Sequence, residues 1–116
     1  MTNALRPILV LTCAVMLLAA TAPAFAGVFR TGRILAFATE TWRIWTPAGD
    51  TRVVVDGDGD TDLDCWVYDR FGTLLGRDVD GTDLCIVRFH NQSSGELTIR
   101  IRNFGDVYND YQLTID

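Results

Sequence analysis

Apolar and polar positions alternate along most of the chain beyond residue 28, in short runs and with no helical period of any length. The most regular run sets Leu97, Ile99 and Ile101 against Thr98, Arg100 and Arg102. A period of two is that of a strand with one buried and one solvated face. Tyr111, Leu113 and Ile115 repeat it, as do Cys85, Val87 and Phe89. Leu63, Cys65 and Val67 share one face, opposite Asp64, Trp66 and Tyr68. Trp42 and Ile44 alternate with Thr41, Arg43 and Trp45, and Val53 lies on one side with Val55. Residues 29–37 read as a leading strand made irregular by Arg30, Gly32 and Arg33, and residues 73–76 as a short one. Between these runs lie Pro47-Ala48-Gly49-Asp50, Asp69-Arg70-Phe71-Gly72 and Asn91-Gln92-Ser93-Ser94-Gly95. Proline presets φ and glycine admits positive φ, so each predicts a turn. Strands spaced in this way by turn residues predict an all-β, antiparallel sandwich or barrel. Seven or eight strands fill two sheets.

The first residues follow a different pattern. Arg6 precedes an apolar run over residues 8–20, broken by Thr12 and Cys13, and Ala24-Phe25-Ala26 follows. A basic start, an apolar core and a small-residue site predict a secretory signal peptide cut after Ala26. The apolar run is shorter than the ~20 residues a membrane span needs. The expected organisation is therefore a leader over residues 1–26 and one small domain over residues 27–116, secreted or periplasmic and without a membrane span.

Charge narrows the partners. The chain carries ten arginines, no lysine and fifteen acidic residues, a net charge of −5. Such a balance lacks the electrostatic footprint for nucleic acid or an anionic membrane surface. Two cysteines, Cys65 and Cys85, remain beyond the leader. In an exported chain they predict one disulfide. The alternatives fare worse, because the spacing is not that of a redox pair and His90 alone adds too few ligands for zinc.

The order Trp42-Arg43-Ile44, Gly49-Asp50, Val53-Val54-Val55, Asp62-Leu63-Asp64, Val67-Tyr68-Asp69, Gly72, then Ser94-Gly95-Glu96-Leu97-Thr98-Ile99-Arg100-Ile101, Asn103, Gly105 and Tyr111-Gln112-Leu113 resembles the bacterial pre-peptidase C-terminal domain. The resemblance covers residues 37–115. It implies a jelly-roll-like β-sandwich of a secreted protein, here a stand-alone member, in a family where some relatives bind calcium and some bind matrix or polysaccharide. Cys65 stands where the family more often has an aliphatic residue, which suits a subgroup stapled by a disulfide.

Two features carry candidate chemistry. Asp56, Asp58, Asp60, Asp62 and Asp64 fall at every second position, and Asp78, Asp80 and Asp83 crowd a second acidic loop. In an extended backbone the first five share one side. Calcium, which takes six to eight oxygens, would relieve their repulsion. The candidate ligands are those five with Asp80. An EF-hand register fails, since Thr61 and Val67 stand where glycine and glutamate belong. The other reading is a solvated turn whose aspartates form local Asx turns. The second feature is Trp66 with Tyr68, on the outward side of their strand, where aromatics stack on sugar rings or grip a protein. His90, beside Ser93 and Ser94, reads as part of a surface turn rather than a catalytic triad. The sequence thus points to a non-catalytic binding module, calcium-stabilised, for polysaccharide or an envelope protein. The alternative is a metal-free structural or interaction protein, and a small hydrolase comes last.

Overall fold

The computed structural model describes residues 24–116, with Ala4, Thr12 and Ala14 as isolated positions. Most of the expected leader therefore lies outside the described residues. The strands are β1 Val28–Ile34, β2 Thr39–Thr46, β3 Gly49–Asp56, β4 Leu63–Tyr68, β5 Leu74–Asp78, β6 Leu84–Asn91, β7 Gly95–Asn103 and β8 Asn109–Ile115. They form two four-stranded antiparallel sheets, ordered β1-β8-β3-β6 and β2-β7-β4-β5. Pairs β1–β8, β2–β7, β3–β6 and β4–β5 nest inside one another. That is a long hairpin rolled into a sandwich, the jelly-roll arrangement. No helix long and apolar enough to cross a membrane occurs among the described residues.

The period-two faces meet in one core. Val53, Val55, Leu63, Cys65, Val67, Ile99, Ile101, Leu113 and Ile115 are fully buried. Cys65 on β4 and Cys85 on β6 form a disulfide that joins the two sheets, with Cα atoms 6.2 Å apart. A second link between the sheets is polar. Tyr111 on β8 donates its hydroxyl proton to Glu40 of β2 and accepts a hydrogen bond of 2.7 Å from Trp42 Nε1. Burial, then the bond to Glu40, raises the Tyr111 pKa well above the usual phenol range. Trp42 is half-buried against the core, as its strand phase predicts.

The leading strand differs from expectation. It ends at Ile34, and residues 35–38 turn, with Ala38 N donating to Leu35 O at 3.1 Å. Phe37 sits at φ 58°, a left-handed conformation that ends any strand there. The turn is held by Asn103, whose side-chain amide donates to the carbonyls of Leu35 and Val107 at 3.3 and 2.8 Å.

Because strands run alternately up and down, the loops segregate. Residues 57–62, 79–83 and 104–108 gather at one end with the turn at 35–38. Residues 69–73 close the other end, where Asp69 Oδ1 accepts from the amides of Phe71 and Thr73 at 2.8 and 2.9 Å. The sequence predicts a turn here, and the side chain of Asp69 closes it as an Asx turn.

Candidate functional site

The acidic end is built from three loops that bond to one another. Gly57 N donates to Asp83 O at 3.0 Å, Leu63 N to Thr82 O at 3.0 Å, and Phe104 N to Asp62 O at 2.9 Å. The extended backbone that would align five carboxylates stops at Asp56, the last residue of β3, and Gly59 turns the chain at φ 91°. The aspartates therefore separate into two groups.

The first group is satisfied by amides. Asp58 accepts from Asp60 N at 3.2 Å and Asp110 N at 2.9 Å, and its own amide donates to Asn109 Oδ1 at 3.1 Å. Asp83 accepts from Gly59 N and from Asn109 Nδ2, the latter at 2.5 Å. Burial raises the Asp83 pKa against the opposing pull of those two donors. Asn109 is itself buried, and its amide also reaches Thr61 Oγ1 at 2.8 Å. Asp56 and Asp60 are exposed. Asn109 and Asp83 are thus the organising pair of this end. The position of Asp83 in a second acidic loop was a signal for it; nothing local marks Asn109.

In the second group Asp62 and Asp64 are not satisfied. Asp64 faces outward on β4, as its phase predicts, yet only 8% of it is exposed. The Oδ1 atoms of Asp62 and Asp64 are both buried without a hydrogen-bond partner. Burial pushes the Asp64 carboxyl up to about 6, helped by the neighbouring charge of Asp62, then by the charges of Asp78 and Asp80. Asp78 Oδ2 accepts from Ile86 N at 2.9 Å. Asp80 accepts from the amide and hydroxyl of Thr82 at 3.0 and 2.8 Å, which lower its pKa. Among the described residues no three acidic, histidine or cysteine side chains converge as a metal cluster.

Beside this end lies the outer face of the β2-β7-β4-β5 sheet. Trp66 and Tyr68 are half-buried there, on the side the sequence assigns them. With Arg100, Arg102 and Phe104 they line an open groove of about 260 Å³. The Arg102 guanidinium stacks over the Phe104 ring, 4.7 Å from its centroid. Trp45, on the same face, is 60% exposed. His90 lies at the opposite end from the acidic loops, exposed, with Nδ1 2.8 Å from Asp50 Oδ1. Neither Ser93 nor Ser94 is hydrogen-bonded to it among the described residues.

No family model matches the sequence, and no curated protein matches it. Solved structures do. The pre-peptidase C-terminal domain of a collagenase from Bacillus anthracis superposes with a TM-score of 0.62 at 9% identity, over 78% of this chain and 89% of that domain. PliG of Aeromonas hydrophila, a periplasmic inhibitor of g-type lysozyme, superposes with a TM-score of 0.56 at 16% identity, over 78% and 84%. The likeness is one of fold. It agrees with the jelly-roll sandwich that the family resemblance implies.

Proposed function

We propose that the chain is a non-catalytic binding module of the extracytoplasmic space, a divergent relative of the pre-peptidase C-terminal domains, that takes polysaccharide on the outer face of the β2-β7-β4-β5 sheet. The observation that carries this reading is the groove in which Trp66 and Tyr68, on the open sheet face, meet Phe104 of the loop after β7. Aromatic side chains gathered on an open face offer flat apolar surfaces on which a sugar ring can stack. The disulfide supports an oxidising compartment. The fold shared with a collagenase appendage and a lysozyme inhibitor supports binding rather than turnover. The exposed His90–Asp50 pair offers a hydrolase no nucleophile.

Calcium at the acidic end belongs to the same proposal, reduced to Asp62 and Asp64. Their two buried, unpartnered oxygens fit a hard cation, and calcium would complete its shell with backbone carbonyls and water. Asp56, Asp58, Asp60 and Asp80 would act by charge alone.

The ligand test is affinity electrophoresis of the purified protein through gels containing soluble polysaccharides. Retardation that a folded Trp66→Ala, Tyr68→Ala variant loses supports the reading. Equal mobility in every gel would leave a protein partner or a structural role instead. The calcium test is thermal unfolding in EDTA and in millimolar calcium. Saturation a hundredfold above Kd stabilises by about 2.7 kcal/mol. The Asp62→Asn, Asp64→Asn variant should lose that gain, and a gain that persists in it would reject these two ligands.

A further inference from the structure

We infer that the aromatic face selects anionic polysaccharide, a glycan bearing carboxylate or sulfate groups, through four arginines interleaved with the aromatics. This rests on the reading of that face as the ligand surface and adds the charge of the ligand.

The register places the arginines. Thr41, Arg100, Trp66 and Arg77 are successive cross-strand neighbours on β2, β7, β4 and β5, so they form one row across the sheet. Residues opposite one another across antiparallel strands share a face. Arg100 and Arg77 therefore flank Trp66, each one strand spacing of ~4.8 Å away. Arg43, Thr98 and Tyr68 form the next row, and Arg102 follows Arg100 two residues along β7 on the same face. All four arginines are exposed.

Their lack of partners is the second observation. The chain has an excess of acid, and two arginines of the other sheet use it: Arg33 pairs with Asp110 at 2.7 Å and Arg52 with Asp116 at 2.5 Å. Among the described residues none of Arg43, Arg77, Arg100 and Arg102 is in an ion pair. Asp64, opposite Arg102 in register, is buried, Arg102 stacks on Phe104, and Glu96, exposed on this face one row from Arg43, is in no ion pair among the described residues. Four guanidinium forks thus stand on one face of an acidic protein with their donors unspent. Guanidinium matches carboxylate and sulfate oxygens two at a time, and aromatic rings take the apolar face of a sugar. Together they describe a charged glycan. Nucleic acid would meet the same chemistry, but duplex DNA carries a charge every ~1.7 Å, and the aspartate loops at the end of this sheet would repel so dense an anion.

The experiment compares polygalacturonate, neutral dextran and a duplex DNA oligonucleotide, each titrated into the purified protein with tryptophan fluorescence as readout. Polygalacturonate should bind at least about tenfold more tightly than dextran, as one added charge-assisted contact implies. Arg77→Gln with Arg100→Gln should abolish that preference, whereas Arg30→Gln on β1 should keep it. Arg100→Lys, which retains charge but loses the fork, should fall between and serves as the milder variant if the double one unfolds. Equal affinity for dextran and polygalacturonate overturns the inference while leaving the binding-module reading intact. Tighter binding of the oligonucleotide, or equal loss in Arg30→Gln, also overturns it. Failure to bind any glycan removes both readings.

Discussion

The carboxylate of Asp83 occupies the space into which a side chain on Gly57 would project. The same carboxylate accepts the amide of Gly59 and the side chain of Asn109, so one group ties the loop after β3 to the start of β8. Close approach of a carboxylate to backbone is possible only because position 57 has no Cβ.

A methyl group at Gly57 must therefore displace Asp83. Gly57→Ala is expected to lose about 1–3 kcal/mol, the usual cost of overpacking. Asp83→Ala removes the acceptor instead and leaves two donors unmet, for a similar loss of about 1–3 kcal/mol. Urea unfolding measures both. A change within the ~0.5 kcal/mol typical of an uninvolved surface site would refute the link.

This relationship marks where the sequence stops being legible. Strands such as β7 and β8 are readable because a half-buried sheet imposes period two on the chain itself, and the Asp69 turn because its partners lie two and four residues away. The disulfide was readable from compartment and number. The aspartates at 56–64 were not, since the alternation continues through residues that are not extended, and their partners Asn109 and Asp110 are about fifty residues distant. Asp64 shows the same limit. Its outward phase is correct, but burial on an outward face depends on what the rest of the fold lays beside it. The arginine rows need register across four strands, which no single run of residues contains.

Tyr111 joins the two sheets through its hydroxyl. Tyr111→Phe keeps the ring that packs against Gly32 but removes both the acceptor of Trp42 Nε1 and the donor to Glu40. Stability should fall by about 1–3 kcal/mol, because two part-buried polar groups lose their partner. Tryptophan fluorescence of the folded protein should change with it. An unchanged midpoint would mean that water replaces the hydroxyl at no cost.

The Cys65–Cys85 bridge closes a loop of twenty residues between β4 and β6. Cross-linking a loop of about this length stabilises by roughly 3 kcal/mol in the chain-entropy model. For a domain this small each kcal/mol moves the melting midpoint by about 4–8 °C. Reduction by dithiothreitol should lower the midpoint by more than about 10 °C without first disturbing the β-sheet signal. Cys65→Ala with Cys85→Ala should fall further, since both side chains are fully buried and their loss opens a cavity. Two reactive thiols in the denatured, unreduced protein would contradict the bridge.

Asp64 sets the final expectation, and its sign runs opposite to that of most carboxylates in folded proteins. Its pKa rises to about 6 in the fold, against roughly 3.9 in an unfolded chain. Between those values the native state holds the proton that the unfolded state releases. The stability this confers is complete below about pH 4 and is lost as pH rises through 6. At pH 7.5 the ionised, buried Asp64 beside Asp62 is therefore a liability on the order of 3 kcal/mol. Asp64→Asn removes the charge and supplies an amide that can donate to Asp62. In EDTA, the variant should unfold at a higher temperature than the parent at pH 7.5 and at nearly the same temperature at pH 4. Exposed Asp80, Asp110 and Asp116 have pKa values lowered by their partners, so they act in the reverse direction, and only at more acid pH. A variant less stable than the parent at pH 7.5 in EDTA would show that Asp64 is held by a contact its carboxylate alone can make.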